Sequence, residues 1–208
     1  MKKGWFITFE GPDGSGKTTV SKAVFEKLKE MNIACLYTRE PGGSKIAEKI
    51  RDIILNPEHT SMDAKTEALL YAASRRQHLV EKVLPAIEEG KVVICDRFID
   101  SSLAYQGYGR AIGFDEVLSI NQFAIENYFP EKTIFLALDE AEGLKRIQSR
   151  TFKDRLDQES LDFHHEVSQG YQAVLKKFED RMVVVDASQE VEQVIEDALK
   201  KILAIIHG

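Results

Sequence analysis

Short apolar runs alternate along this chain with longer segments in which apolar residues recur every three or four positions. WFITF at 5–9, VVICD at 92–96 and IFLAL within 133–138 are nearly uninterrupted runs. A run that is apolar on both faces suits a parallel strand covered by helices on each side. Two further strands are predicted over 33–38 and 182–186. Helical periods cover 17–31, 46–55, 64–89, 114–127, 140–149, 159–179 and 191–206, and Pro85 predicts a kink in the third of these. Strand–helix alternation predicts an α/β domain, a five-stranded parallel sheet flanked by helices. Ligands in such sheets bind beyond the carboxyl ends of the strands, and the segments richest in glycine and charge here follow strands. With no repeat, linker or low-complexity stretch, one domain is expected over 1–208.

Composition changes this picture only at the margins. A net charge of −6 argues against a broad basic face for a nucleic-acid polymer, so any phosphate must be met by individually placed cations. The N-terminal MKKGWFITF is too short for a signal peptide, and no run approaches the ~20 apolar residues of a membrane span. A cytoplasmic chain without a membrane partner is expected. Cys35 and Cys95 lie in strand-like runs and are expected to be buried, reduced thiols.

Residues 9–19 read FEGPDGSGKTT, in which Gly11, Gly16, Lys17 and Thr18 fit G-x-x-x-x-G-K-[ST]. The strand before and the helix after are the context that this motif requires. The loop from Gly11 through Pro12, Asp13, Gly14, Ser15 and Gly16 to Lys17 and Thr18 is therefore expected to wrap the phosphates of a nucleotide. Lys17 would reach the β- and γ-phosphates, and Thr18 would ligate Mg²⁺. VVICDR ends a second strand on Asp96, either a further magnesium ligand or a helix cap, followed at once by Arg97. Two carboxylates raise a question: Asp13 lies inside a loop built for anions, and Glu10 stands just before it.

Cations are more numerous than one nucleotide needs. TREPGGS brings Arg39 and Glu40 to the end of a strand, Arg51 follows on a helix, and SRTFKDR brings Arg150, Lys153 and Arg155. Read alone, such a charge run is as well a solvated surface. Beside a phosphate loop it counts differently. A triphosphate donor carries about four negative charges and a phosphate monoester about two. Two like charges 4 Å apart repel by ~4 kcal/mol at an effective dielectric of about 20, so joining two phosphates takes several cations. This favours transfer between two phosphorylated partners. The acceptor dianion is already nucleophilic near neutral pH, so no general base is expected, only alignment and charge stabilisation.

FEGPDGSGKTT, TREPGG, TEALLYAASRRQH, CDRFIDSSLAYQGYGR and DRLDQE occur in that order between residues 9 and 159. Together they resemble the thymidylate kinases, which have the P-loop nucleoside monophosphate kinase fold. The resemblance implies transfer of the ATP γ-phosphoryl group to thymidine 5′-monophosphate, with Mg²⁺, in a homodimer. It implies that Arg39 and Arg97 hold the acceptor phosphate, with Glu40 and Arg51 beside them. Tyr71 would stack on the base, where the family often has Phe, and Arg75 would bond a base carbonyl one helical turn on. Ser102 and Gln106 would read the polar edge of the base, and Tyr105 would crowd the sugar 2′ position. Asp13 would accept from the sugar 3′-hydroxyl, while Glu10 would organise the metal shell or the loop. Arg76 and His78 are read as facing elsewhere, and Glu67 and Arg110 as supports without an assigned role. The phosphate loop has no arginine. The catalytic arginines are therefore expected in a lid over about 149–158, at Arg150 and Arg155, as in the bacterial lid-arginine type, with Lys17, Asp96 and Arg97 completing the catalytic set. Phe98 departs from a common Tyr. A kinase for another nucleoside monophosphate, or a P-loop ATPase or switch protein, remains the alternative.

Overall fold

A computed structural model describes residues 4–148, 154–156 and 158–207. The five strands are β1 (Trp5–Glu10), β2 (Cys35–Arg39), β3 (Val92–Asp96), β4 (Lys132–Ala137) and β5 (Met182–Asp186). They pair in parallel in the order β2-β3-β1-β4-β5. β3 is buried at every position, whereas the edge strands β2 and β5 are half-exposed and leave Val184 open to solvent. Cys95 is accordingly buried, but Cys35, on the edge, is only half-buried; both are free thiols. Asp96 lies opposite Phe9 on one side and Arg39 on the other, which levels the ends of β1, β2 and β3.

The helices are α1 (Lys17–Glu30), α2 (Lys45–Leu55), α3 (Ala64–His78), α4 (Leu84–Glu88), α5 (Ile99–Ser102), α6 (Phe114–Ile125), α7 (Glu140–Gln148), α8 (Leu161–Lys177) and α9 (Val191–His207). One face of the sheet packs on α1 and α9 through Val20, Val24, Leu28, Ala198 and Ile202. The other packs on α3, α4 and α6 through Leu79, Ala86, Val117 and Ile125. A third apolar cluster joins Ile54, Tyr71, Tyr105, Phe163 and Tyr171 and forms a floor for the loops at the carboxyl edge.

Two local features differ from the sequence expectation. The kink expected at Pro85 is a π-helical turn, Leu79–Val83, between α3 and α4, in which Leu84 donates to Leu79 O. Proline lacks an N–H and crowds the carbonyl four residues back, and the wider turn relieves both. The segment after β3 carried no predicted element, yet it forms α5 and a second π-helical stretch, Leu103–Gly109. Its residues have no helical apolar period, so tertiary contacts support it. α8 lies so close that a Cβ on Gly170 would sit 2.7 Å from Ala104 Cα.

Candidate active site

The phosphate loop turns out of β1 with Gly11, Gly14 and Gly16 all at positive φ. Gly14 has a second constraint: a Cβ there would stand 2.4 Å from Gly143 O at the start of α7. Arg146, further along α7, donates to Gly14 O at 3.3 Å. Lys17 is buried, and its ammonium donates to Gly11 O at 2.8 Å and Pro12 O at 2.7 Å. Burial, and then the nearby positive charge of Arg97, push its pKa down to about 7.

Thr18 and Asp96 meet across the ends of α1 and β3: Thr18 Oγ1 donates to Asp96 Oδ2 at 2.5 Å. Asp96 Oδ1 is buried without a hydrogen-bond partner. A hydroxyl and a carboxylate oxygen with spare capacity, beside a phosphate loop, fit a hard cation such as Mg²⁺. Among the described residues no cluster of three or more His, Cys, Asp or Glu could hold a metal by itself, as expected where phosphates supply the remaining ligands.

Next to the loop lies a cavity of about 110 Å³, whose lining includes Asp13, Arg51, Tyr71, Arg97, Tyr105 and Gln106. Asp13 belongs to the loop and also lines the cavity. Its Oδ1 accepts from Arg97 and its Oδ2 from the Tyr105 hydroxyl. A carboxylate inside the glycine-rich loop is thereby neutralised from the cavity side. Arg97 adopts a φ of 72°, also donates to Ser101 Oγ at 3.2 Å, and stacks over the Tyr105 ring at 5.4 Å. Burial, and then the charge of Asp13, raise the Tyr105 phenol pKa well above its ordinary value, so the hydroxyl stays a donor.

Glu10 supports this turn. Fully buried, it accepts from Phe98 N at 2.7 Å, Ser101 N at 3.2 Å and Ser101 Oγ at 2.6 Å. It therefore ties down the turn after β3 that carries Arg97. Burial, and then the neighbouring Asp100, push its pKa up to about 7.

One stripe of α3 is buried, Glu67, Tyr71, Arg75 and His78, at successive intervals of four, four and three residues, and Tyr71 and Arg75 of it line the cavity. Arg75 donates from Nε to Glu40 Oε2 at 2.8 Å, from Nη1 to Ser102 Oγ at 3.0 Å and to Asn121 Oδ1, and from Nη2 to Phe98 O at 2.9 Å. Of the five N–H groups of a guanidinium, this leaves one on Nη2. Glu40 is fully occupied as a brace, since its other oxygen bonds His78 Nδ1 at 2.8 Å. His78 Nε2 in turn meets Thr38 Oγ1 at 2.6 Å. Reading His78 as facing elsewhere is thus corrected: it lies seven residues beyond Tyr71 on the same face, and that spacing was available to find it. Ser101 and Asn121 left no comparable signal, because only the chain's path brings them in. Phe98 is fully buried, edge-on to Phe6 at 4.9 Å, and its carbonyl is what bonds Arg75.

Two sequence expectations fare differently. Arg39 is not among the residues lining the cavity; it is half-exposed, bonded to Glu48 at 3.0 Å and Pro41 O at 2.8 Å. Arg51, one turn after Glu48 on α2, lines the cavity instead and donates to Pro41 O at 2.9 Å. Arg155 is buried, donating to Glu67 Oε2 at 2.6 Å and Ile54 O at 2.8 Å. Arg150 and Lys153 lie outside the described residues. Asp154 and Leu156, not singled out in the sequence, line the cavity.

Comparisons with known proteins agree with this geometry. The family model described as "Thymidylate kinase" matches residues 9–198. A thymidylate kinase of Geobacillus sp. (strain WCH70) is 54% identical over 208 residues, with 99% of each chain covered. One from Bacillus velezensis is 59% identical over 201 residues, covering 96% of this chain and 95% of the relative. The crystal structure of thymidylate kinase from Ehrlichia chaffeensis superposes with a TM-score of 0.79 at 32% identity, covering 96% of this chain and 99% of that one. With a phosphate loop and a walled cavity side by side at the carboxyl edge of the sheet, the chain belongs to the thymidylate kinase family of phosphotransferases.

Proposed function

We propose that this protein transfers the γ-phosphoryl group of ATP to thymidine 5′-monophosphate, giving the diphosphate on the route to the triphosphate. One observation carries the reading: Asp13 belongs to the phosphate loop and also lines the acceptor cavity, so donor and acceptor compartments share a wall. The curated relatives bear the name thymidylate kinase over nearly their whole length, which supports the choice of acceptor.

In this reading the loop from Gly11 to Thr18 wraps the donor phosphates, and Lys17 turns its ammonium from the loop carbonyls to the phosphates. Thr18 and Asp96 would hold Mg²⁺, which when bound offsets charge on the donor phosphates. Arg97 and Arg51 meet the acceptor phosphate. An oxygen of that phosphate bonds to the γ-phosphorus as the bond from phosphorus to the bridging oxygen breaks, leaving ADP; with a dianionic acceptor, no side chain need take a proton. Tyr71 presents a ring to the base, Tyr105 and Asp13 meet the sugar, and Arg75, Ser102 and Gln106 face the polar edge of the base. Glu40 acts through Arg75 rather than on the substrate.

Arg150 and Arg155 are proposed as the lid cations, Arg155 by anchoring the segment through Glu67. A homodimer is proposed through α2, α3 and α6, where Ile46, Leu69 and Phe123 are exposed, Phe123 to 88%. A cytoplasmic location accords with the two free thiols.

Turnover measured across the common ribo- and deoxyribonucleoside monophosphates tests the assignment. Thymidylate is expected to have the highest kcat/KM; a purine or ribonucleotide preference refutes it, and ATP hydrolysis that no monophosphate stimulates would revive the switch-protein alternative.

A further inference from the structure

The buried carboxylate of Glu67 bonds to four donor groups on three side chains. Its Oε1 accepts from Gln106 Nε2 at 2.8 Å, its Oε2 from Arg155 Nη2 at 2.6 Å, and both oxygens are approached by Arg110, through Nε at 3.3 and 3.2 Å and through Nη2 at 3.1 Å from Oε2. Arg110 is held from its other side by Glu159 at 2.5 Å, and Arg155 by Ile54 O at 2.8 Å. The carboxylate therefore cannot turn away without breaking several charged contacts at once.

This fixes something that a glutamine does not fix for itself. A carboxamide has a donor end and an acceptor end of nearly the same shape, and a half-turn exchanges them. A carboxylate offers no hydrogen, so only the NH₂ end of Gln106 can face Glu67. Gln106 is itself buried and, like Arg75 and Tyr105, lines the acceptor cavity. Among the described residues nothing donates to its Oε1, although the residue is almost fully enclosed. Arg75, which lines the same cavity and holds Ser102 four residues before Gln106, has one Nη2 hydrogen left over from the bonds already described. The cavity wall thus includes both an acceptor and a donor.

We propose that Glu67 is a specificity-determining positioning residue: by locking the Gln106 carboxamide with its oxygen toward the cavity, it makes the site select a pyrimidine that carries a ring N–H flanked by a carbonyl. Thymine and uracil have that pattern. Cytosine has the reverse, an unprotonated ring nitrogen beside an amino group, and would meet the site acceptor to acceptor and donor to donor. Leaving a buried polar group unpaired is the strong form of rejection available to a binding site. The role rests on the thymidylate reading above. It makes Glu67 an indirect reader of the base, acting through Gln106, while Oε2 ties the same carboxylate to the lid end through Arg155.

The experiment compares kcat/KM for thymidylate, deoxyuridylate and deoxycytidylate in the wild-type protein and in Glu67→Gln, with ATP in excess. A glutamine at 67 can offer either end to Gln106, so the orientation is no longer imposed. The thymidylate-to-deoxycytidylate ratio is expected to fall about tenfold or more, the worth of one mispaired buried hydrogen bond. The thymidylate-to-deoxyuridylate ratio should not move, because both bases carry the same ring N–H and differ only in a methyl group. General damage to the fold would not separate those two ratios. An unchanged deoxycytidylate ratio in a variant that still turns over overturns the proposal. A wild-type protein that fails to favour thymidylate sinks the acceptor assignment first, and this role with it. Should Glu67→Gln not fold, neutron diffraction from the deuterated wild-type protein with thymidylate bound reads the orientation directly. Deuterium on the Gln106 nitrogen pointing at Glu67 supports the proposal; deuterium pointing at the base overturns it.

Discussion

Glu10→Gln tests whether a buried carboxylate really bears the cost that its surroundings suggest. Glu10 is fully enclosed, beside Asp100, and its pKa stands at about 7 against 4.5 for an ordinary glutamate. The folded state therefore holds its proton more tightly than the unfolded state does. Glu10 contributes fully to stability below pH ~4.5, and that contribution is lost as pH rises through about 7. At ~1.36 kcal/mol per pH unit of displacement, the loss amounts to about 3 kcal/mol. For a chain of this length, ~1 kcal/mol moves the melting temperature by roughly 2–4 °C, so the wild-type protein should lose roughly 6–12 °C through this group alone. Glutamine has the same shape and carries no charge at any pH. Its oxygen can still accept from Phe98 N and Ser101 N, and the hydroxyls of Ser101 and Tyr171 can turn to accept from its NH₂. Scanning calorimetry of both proteins from pH 5 to 8 reads the difference, and the loss of Glu10's attraction for the Lys17 ammonium acts in the same direction. The variant's melting temperature should gain on the wild type across that window and level off above pH 7. A gap that stays constant with pH, or closes as pH rises, refutes the account of Glu10.

Two further outcomes are expected. Burial and Arg97 hold Lys17 at a pKa of about 7, and donor phosphates favour its charged form, so nucleotide binding at pH 8 should take up as much as one proton. Calorimetric titration in buffers of different ionisation enthalpy reads this uptake, and proton release would contradict it. Phe123→Glu places a charge on the exposed face of α6, and should yield monomers by sedimentation if that face pairs two copies; an unchanged mass would remove it from the interface.

Much of the donor half of the site is local in the chain and could be read from it. Gly11 to Thr18 are contiguous, and the strand before and the helix after are set by their own apolar periods. Tyr71 and Arg75 were legible because a helix converts a spacing of four into a shared face. The same rule would have found His78 and Glu67. Arg39 lies away from the cavity for an equally physical reason. It ends β2 level with Asp96, but at a sheet edge a side chain can turn to a nearer partner, and Glu48 provides one.

What no spacing contains is the meeting of groups far apart in the chain. Asp13 is joined to Arg97 across 84 residues and to Tyr105 across 92, and Glu67 to Arg155 across 88. Local periodicity determined which segments become strands and helices, because backbone hydrogen bonding and the burial of one face act over a few residues. Which charges neutralise one another, which end of an amide faces a buried carboxylate and which arginines line the cavity were decided only when packing removed water. A buried charge or donor must then be matched by whatever partner the tertiary path delivers.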